Sequence, residues 1–189
     1  MRLHARGNLI RLLRCKIEKN KGFTLIELVV VIVILTILAA TAASKFIDLS
    51  NDAKIATLDR MQGAISSGTQ MIYSQAIIKD KTNGADTLVV GGTSISLYSG
   101  YPTGHWSNSL RYIVNLDAIE YSIVSEICNV EWCGRGNQTS IPSGLTTTFP
   151  GRMGKIFPKG YSWNDEFGVY YINHEDGREP EIGLETDDC

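Results

Sequence analysis

Residues 23–43 read FTLIELVVVIVILTILAATAA, and how this stretch is read decides the rest. It is 21 residues long and holds a single charge, Glu27. At a rise of about 1.5 Å per residue it forms a helix of roughly 31 Å, enough to cross the hydrocarbon core of a bilayer. Seven basic residues precede it: Arg2, Arg6, Arg11, Arg14, Lys16, Lys19 and Lys21, against one acid, Glu18. The positive-inside rule keeps residues 1–22 in the cytoplasm and exports the chain beyond Ala43. From residue 23 onward the balance reverses, with eleven Lys/Arg against nineteen Asp/Glu. A chain basic at one end and acidic over the rest is a poor nucleic-acid binder. The apolar run also excludes a plain cytosolic globule, and 18 Gly and 5 Pro in 189 residues exclude a collagen-like or wholly disordered chain.

Two alternatives compete with a helix that functions in the membrane. One is a secretory signal peptide, for which Ala40-Thr41-Ala42 supplies a small-residue cleavage site and a mature terminus near Ala43 or Ser44. The other is an ordinary membrane anchor. Against the first stand the length of the run and the carboxylate in its second turn. A lone carboxylate in a bilayer costs several kcal/mol unless it neutralises or finds a partner. Lys21 lies six residues back, off the face needed for an i, i+4 pair. Cleavage just before Phe23 creates an α-amino group four residues from Glu27. The amine of one chain then pairs with Glu27 of its neighbour when helices stack with an axial offset. A penalty in the membrane becomes a registration device in an assembly.

Lys21-Gly22-Phe23-Thr24-Leu25-Ile26-Glu27-Leu28 resembles the prepilin cleavage and methylation motif of type IV pilins and type II secretion pseudopilins. The resemblance implies cleavage between Gly22 and Phe23 by a prepilin peptidase, N-methylation of Phe23, and a role for Glu27 in assembly and register. KFIDLSNDAK (45–54), MIYSQA (71–76) and GTSISLYSGYP (92–102) are similar to mannose-sensitive haemagglutinin pilins. The function implied is a structural subunit of a type IV pilus, a surface filament for attachment, and not an enzyme. The alternatives are a minor pilin or a type II secretion pseudopilin. The partners implied are copies of the chain and related pilins, the prepilin peptidase, an inner-membrane platform protein, an assembly ATPase and, before assembly, membrane lipid. The implied location is a single pass through the inner membrane with the C-terminal region in the periplasm, then the extracellular pilus. Thr36 and Ser44 stand where type IVa pilins usually carry Gly and Pro, so a straighter anchor is expected. The long leader reads either as a basic helix over residues 8–21 on the inner membrane face, or as a start codon placed too far upstream.

The expected organisation is a leader, 1–22, that is removed; a transmembrane or filament-core helix, 23–43; an amphipathic continuation, 44–78; and a C-terminal globular domain, 79–189. Ile55, Leu58, Met61, Ile65, Gly68 and Ile72 recur at spacings of three and four and form one face, expected to pack on the C-terminal domain. Residues 80–84 (DKTNG) end the helix. Residues 87–90 and 94–98 alternate around Gly91-Gly92 and predict a β-hairpin. Residues 107–126 read as helical, as one helix or two short ones, with Ser107 a candidate cap. Residues 128–167 read as irregular with short strands. Residues 168–173 read as a strand, with 179–185 as its partner and Pro180 marking an edge. The expected class is α+β: a long N-terminal helix on a small antiparallel sheet.

Cys15 lies in the leader. Of Cys128, Cys133 and Cys189, either the first two bridge or Cys189 joins one of them. Zinc is a poor third reading, with only His105 and His174 as further ligands. Glu175, Asp176, Glu179 and Glu181 form an acidic cluster, read as a solvated face with a weak divalent-cation alternative. Tyr98, Tyr101, Trp106, Trp132, Tyr161 and Trp163 are read as packing residues, with a sugar-binding surface as the alternative. Gly151-Arg152-Met153-Gly154-Lys155-Ile156 fails as a phosphate loop, because no Ser/Thr comes after Lys155 and the spacing is wrong. No G-x-S-x-G or H-E-x-x-H occurs. No cofactor is expected.

Overall fold

The computed structural model describes residues 22–114 and 119–189. The leader, with Cys15 and the basic stretch 8–21, lies outside the described residues. The protein is α+β. Among the described residues the first element is a helix, α1 (Leu25–Ile78), and eight strands and a short helical turn follow. The chain divides into two compact units, Met1–Lys45 and Phe46–Cys189.

In the first unit the helix presents apolar side chains on every side. Leu25, Ile26, Leu28 and the Val, Ile and Leu residues from 29 to 38 are all exposed. A helix apolar all round has no core-facing stripe and suits an apolar surrounding. By length and composition it is able to cross a membrane. Helical structure runs through Thr36 without interruption. The Thr36 hydroxyl donates to the Val33 carbonyl at 2.8 Å and the Thr41 hydroxyl to the Leu38 carbonyl at 3.0 Å. Both polar groups are thus satisfied within the helix, as an apolar solvent requires.

In the second unit the helix has a single buried face. Leu58, Met61, Ile65, Ile72 and Ala76 are at most 4% exposed, and Ile55 packs on the same cluster. Gly68 belongs to this face for a different reason. A Cβ there would lie 2.2 Å from the Ile113 carbonyl oxygen, so only glycine admits the approach. Gly63 has open space around it and marks no contact.

The face packs on a five-stranded sheet of order β4-β5-β6-β7-β8: β4 (Ile119–Tyr121), β5 (Trp132–Gln138), β6 (Arg152–Pro158), β7 (Phe167–Asn173) and β8 (Glu181–Thr186). All pairs are antiparallel except β4–β5, which is parallel. Ile156, Phe167, Val169 and Tyr171 join the core shared with the helix. Alternate residues Met153, Phe157 and Ile172 join a second core on the opposite face, with Ile141, Trp163, Cys128 and Cys133. A smaller antiparallel sheet holds β1 (Ala85–Val90), β2 (Thr93–Tyr98) and β3 (Tyr101–Pro102). Its hairpin turns on Gly91 and Gly92, at φ +56° and +85°, the geometry of a tight two-residue connection. The β7–β8 pairing runs from Phe167↔Thr186 to Ile172↔Glu181, with β8 at the sheet edge and Pro180 just outside it.

One expectation is corrected. Among the described residues of 107–126 only the start is helical. A π-turn, Trp106–Leu110, runs into the three-residue α2 (Arg111–Ile113), and Val114 is already extended at φ −99°, ψ 119°. Ile119–Tyr121 then pairs with β5. Pairing to an existing sheet edge and burial of Trp106, Leu110 and Ile113 outweigh local helix preference. The segment 128–167 is irregular with short strands, as expected, and contributes β5 and β6, seven residues each. Their glycines are packing features. A Cβ at Gly134 would collide with the Trp106 ring, and one at Gly154 with Leu110 and the Arg135 carbonyl.

A buried ion pair crosses the sheet. Lys155 Nζ lies 2.6 Å from Glu185 Oε2, with the two side chains 0% and 4% exposed. The ammonium also donates to the Trp163 and Asp165 carbonyls. Lys155 reaches β8 across Gly168, where a Cβ would press on its side chain. Cys128 and Cys133 form a disulfide, and Cys189 is free.

Two measurements on the full chain in detergent micelles check this packing. Replacing both Cys128 and Cys133 by Ser is expected to cost about 2 kcal/mol, the chain-entropy value for so short a loop. An unchanged urea midpoint would contradict it. Lys155→Met alone is expected to cost roughly 3–5 kcal/mol by stranding Glu185, while Lys155→Met with Glu185→Leu recovers most of the loss. Equal loss in single and double variants would show that the pair is not the cause.

Candidate functional site: the start of the helix

Gly22 and Phe23 precede the helix. Phe23 is 78% exposed, and among the described residues a Cβ on Gly22 would meet nothing within 4 Å. Thr24 is the cap residue. Its amide and its hydroxyl donate to Glu27 Oε2 at 2.8 and 2.7 Å, while the Glu27 amide donates to the Thr24 hydroxyl oxygen at 3.4 Å. The Leu28 amide donates to the Thr24 carbonyl, the first helical bond. This is a capping box, in which two backbone donors left open by the helix start are satisfied reciprocally. A carboxylate is also favourable at the positive end of the helix dipole.

The capping box changes the reading of Glu27. Sequence reasoning looked for a cation and overlooked the acceptor role of the side chain toward its own first turn. The spacing T-x-x-E ahead of an apolar run was the available signal. Hydrogen bonds from Thr24 lower the cost of the carboxylate but add no opposite charge. Glu27 therefore carries a charge that its own first turn hydrogen-bonds but does not balance.

The other candidate residues disperse. Asp176 is held by Arg178, with Nε and Nη2 2.7 and 2.5 Å from Oδ2, and this pairing lowers its carboxyl to about 2. Glu179 accepts from Gln70 Nε2 at 2.8 Å. Glu181 accepts from the Tyr170 hydroxyl and lies 3.9 Å from His174 Nε2. Glu175 is pushed upward by burial. Among the described residues no three His, Cys, Asp or Glu side chains gather into a metal-binding group. Cys189 Sγ instead faces the Asn51 carbonyl at 3.6 Å.

The aromatic residues also separate. Trp106 and Trp163 are buried, Tyr101 stacks on Tyr73, and Tyr161 stacks on Phe167. The segment 151–156 lies largely within β6, with Lys155 buried, which leaves no loop to cradle a phosphate.

Residues 18–43 match the family model described as the prokaryotic N-terminal methylation motif. The chain is 46% identical over 58 residues to the type IV narrow pilus major component PilA5 of Thermus thermophilus. That stretch is 31% of this chain and 50% of the relative, so the chain spans about half the length of the curated protein it matches. No solved structure matches the chain. The chain is thus an α+β protein that carries a prokaryotic N-terminal methylation motif on a long helix and is similar to a type IV pilus component.

Proposed function

We propose that the chain is a type IV prepilin: a structural subunit and not an enzyme, cut after Gly22, N-methylated on Phe23 and polymerised into a surface filament. The observation that carries this reading is the juxtaposition of Gly22 and an exposed Phe23, a Thr24–Glu27 capping box and a helix segment apolar on all sides. Before assembly residues 23–43 sit in the inner membrane, with the N-terminus cytoplasmic and residues 79–189 in the periplasm. On assembly the same residues pass from lipid to a filament core, an exchange of one apolar environment for another with little transfer cost. The methylated amine of one subunit answers Glu27 of the next. Each contact can be modest because it repeats along a heterologous, non-closing array.

A prepilin peptidase, a platform protein and an assembly ATPase complete the process, since the subunit carries no motor motif. The finer assignment is a mannose-sensitive haemagglutinin-like pilin that mediates attachment, supported by the segments 45–54, 71–76 and 92–102. A minor pilin or a type II secretion pseudopilin is the competing role.

Mass spectrometry of the mature protein is expected to find N-methyl-Phe23 at its amino terminus. A terminus near Ala43 or Ser44, or a retained leader, would overturn the reading. Glu27→Ala is expected to be cleaved normally but to give far fewer filaments; wild-type filament yield from this variant would refute the register role. Sheared filaments are expected to contain this chain as the main subunit, and its presence only in traces would assign the minor role instead.

A further inference from the structure

Away from the helix start, the backbone irregularities of the unit Phe46–Cys189 converge. The π-turn Trp106–Leu110, a register shift in β5 between Arg135 and Gln138, and Asn137 at φ +61° all border one cleft of about 480 Å³. Bulges and π-turns give up regular hydrogen bonding and re-aim side chains, and they concentrate beside functional sites. Here they bring together Ser107 and Asn108 from the turn, Tyr121 from β4, and Arg135 and Asn137 from β5, with His105 at the rim.

The chemistry of the lining is specific. Arg135 Nε is buried without a hydrogen-bond partner, and Nη1 reaches the Ser122 carbonyl only at 3.5 Å. Ser107 and Asn108 make no side-chain hydrogen bond among the described residues. Asn137 Oδ1 accepts from Arg152 Nε at 3.0 Å, which leaves its amide hydrogens as donors. Burial and the nearby Arg152 lower the His105 pKa, which favours the neutral ring. Tyr121 is 54% exposed, tilts against Trp106 at 6.4 Å between ring centroids, and has the Arg135 guanidinium 5.9 Å from its own. Among the described residues no Asp or Glu lines the cleft.

An exposed aromatic wall, the uncommitted side chains of Ser107 and Asn108, the amide hydrogens of Asn137 and one under-satisfied guanidinium define a ligand. It must be larger than a simple anion, present a flat face and several hydroxyls, and carry one carboxylate. We propose that this cleft binds an acidic sugar. The ring lies against Tyr121, its hydroxyls meet Ser107, Asn108 and Asn137, and its carboxylate meets Arg135, whose planar fork matches it. The cleft lies within one unit, so the proposal stands or falls separately from assembly into a filament.

The test is a titration of the full chain, in micelles of a detergent without a sugar headgroup, with D-glucuronate, N-acetylneuraminate, D-glucose and acetate, followed by saturation-transfer NMR and calorimetry. At least one acidic sugar is expected to bind about tenfold more tightly than glucose or acetate. Tyr121→Ala and Asn108→Ala are each expected to weaken it about fivefold or more, with an unchanged thermal midpoint. Arg135→Lys, which keeps the charge and loses the fork, is expected to erase the preference over glucose. Acetate binding as well as the sugars, glucose binding as well as the acids, indifference to Tyr121→Ala and Asn108→Ala, or no saturation at tens of millimolar would each overturn the proposal.

Discussion

A carboxylate at the mouth of an apolar helix is the constraint around which the N-terminal segment is organised. Glu27 cannot be solvated by the aliphatic side chains beyond it, and an unpartnered charge in that setting costs several kcal/mol. The first turn answers part of the cost internally, through the amide and hydroxyl of Thr24. The charge itself remains. In the reading proposed here, that remainder makes the segment associative: an amine created by cleavage is the complement the helix lacks. The capping box and the intersubunit pair are then successive partners of one group, the first serving the free subunit and the second the assembled one.

The two halves of the helix solve different solvent problems with one backbone. Residues up to Lys45 need every polar group closed within the helix, and Thr36 and Thr41 do this by donating to preceding carbonyls. From Phe46 onward one face must match a sheet. Leu58, Met61, Ile65 and Ile72 supply the apolar contact, and Gly68 supplies clearance for the Ile113 carbonyl. On the far side of the sheet the buried Lys155–Glu185 pair ties β6 to the edge strand β8 across Gly168. Removing one partner of such a pair leaves the other charge buried and uncompensated, so the two residues are coupled in the fold.

Much of this was legible in the residues. The long helix, its buried stripe, the Gly91-Gly92 hairpin and the β7–β8 pair arise from periodicity and turn chemistry, which are local signals. The features that were missed depend on contacts between distant residues. Gly134 and Gly154 read as loop formers until Trp106 and Leu110 are placed against them. Residues 107–126 have helical composition, yet Val114 is extended and 119–121 pair with a strand eleven residues further on. Three cysteines beyond the long helix left the bridge open, and the fold selects Cys128 with Cys133 while Cys189 faces Asn51. The acidic residues near 176 looked like a cluster but are separated by individual partners, Arg178, Gln70 and His174. At the helix start the signal is local: T-x-x-E ahead of an apolar run encodes the capping box between Thr24 and Glu27.

The intersubunit pair is open to direct measurement. Filaments grown from an equal mixture of two preparations, one with ¹⁵N-labelled phenylalanine and one with glutamate ¹³C-labelled at the carboxyl, report a Phe23 nitrogen near Glu27 only where the two residues belong to different subunits. Rotational-echo solid-state NMR is expected to show dephasing of the Glu27 carboxyl by the Phe23 amine, at a separation of about 3–4 Å typical of an ion pair. Filaments that form well and show no such dephasing would contradict the account at its centre.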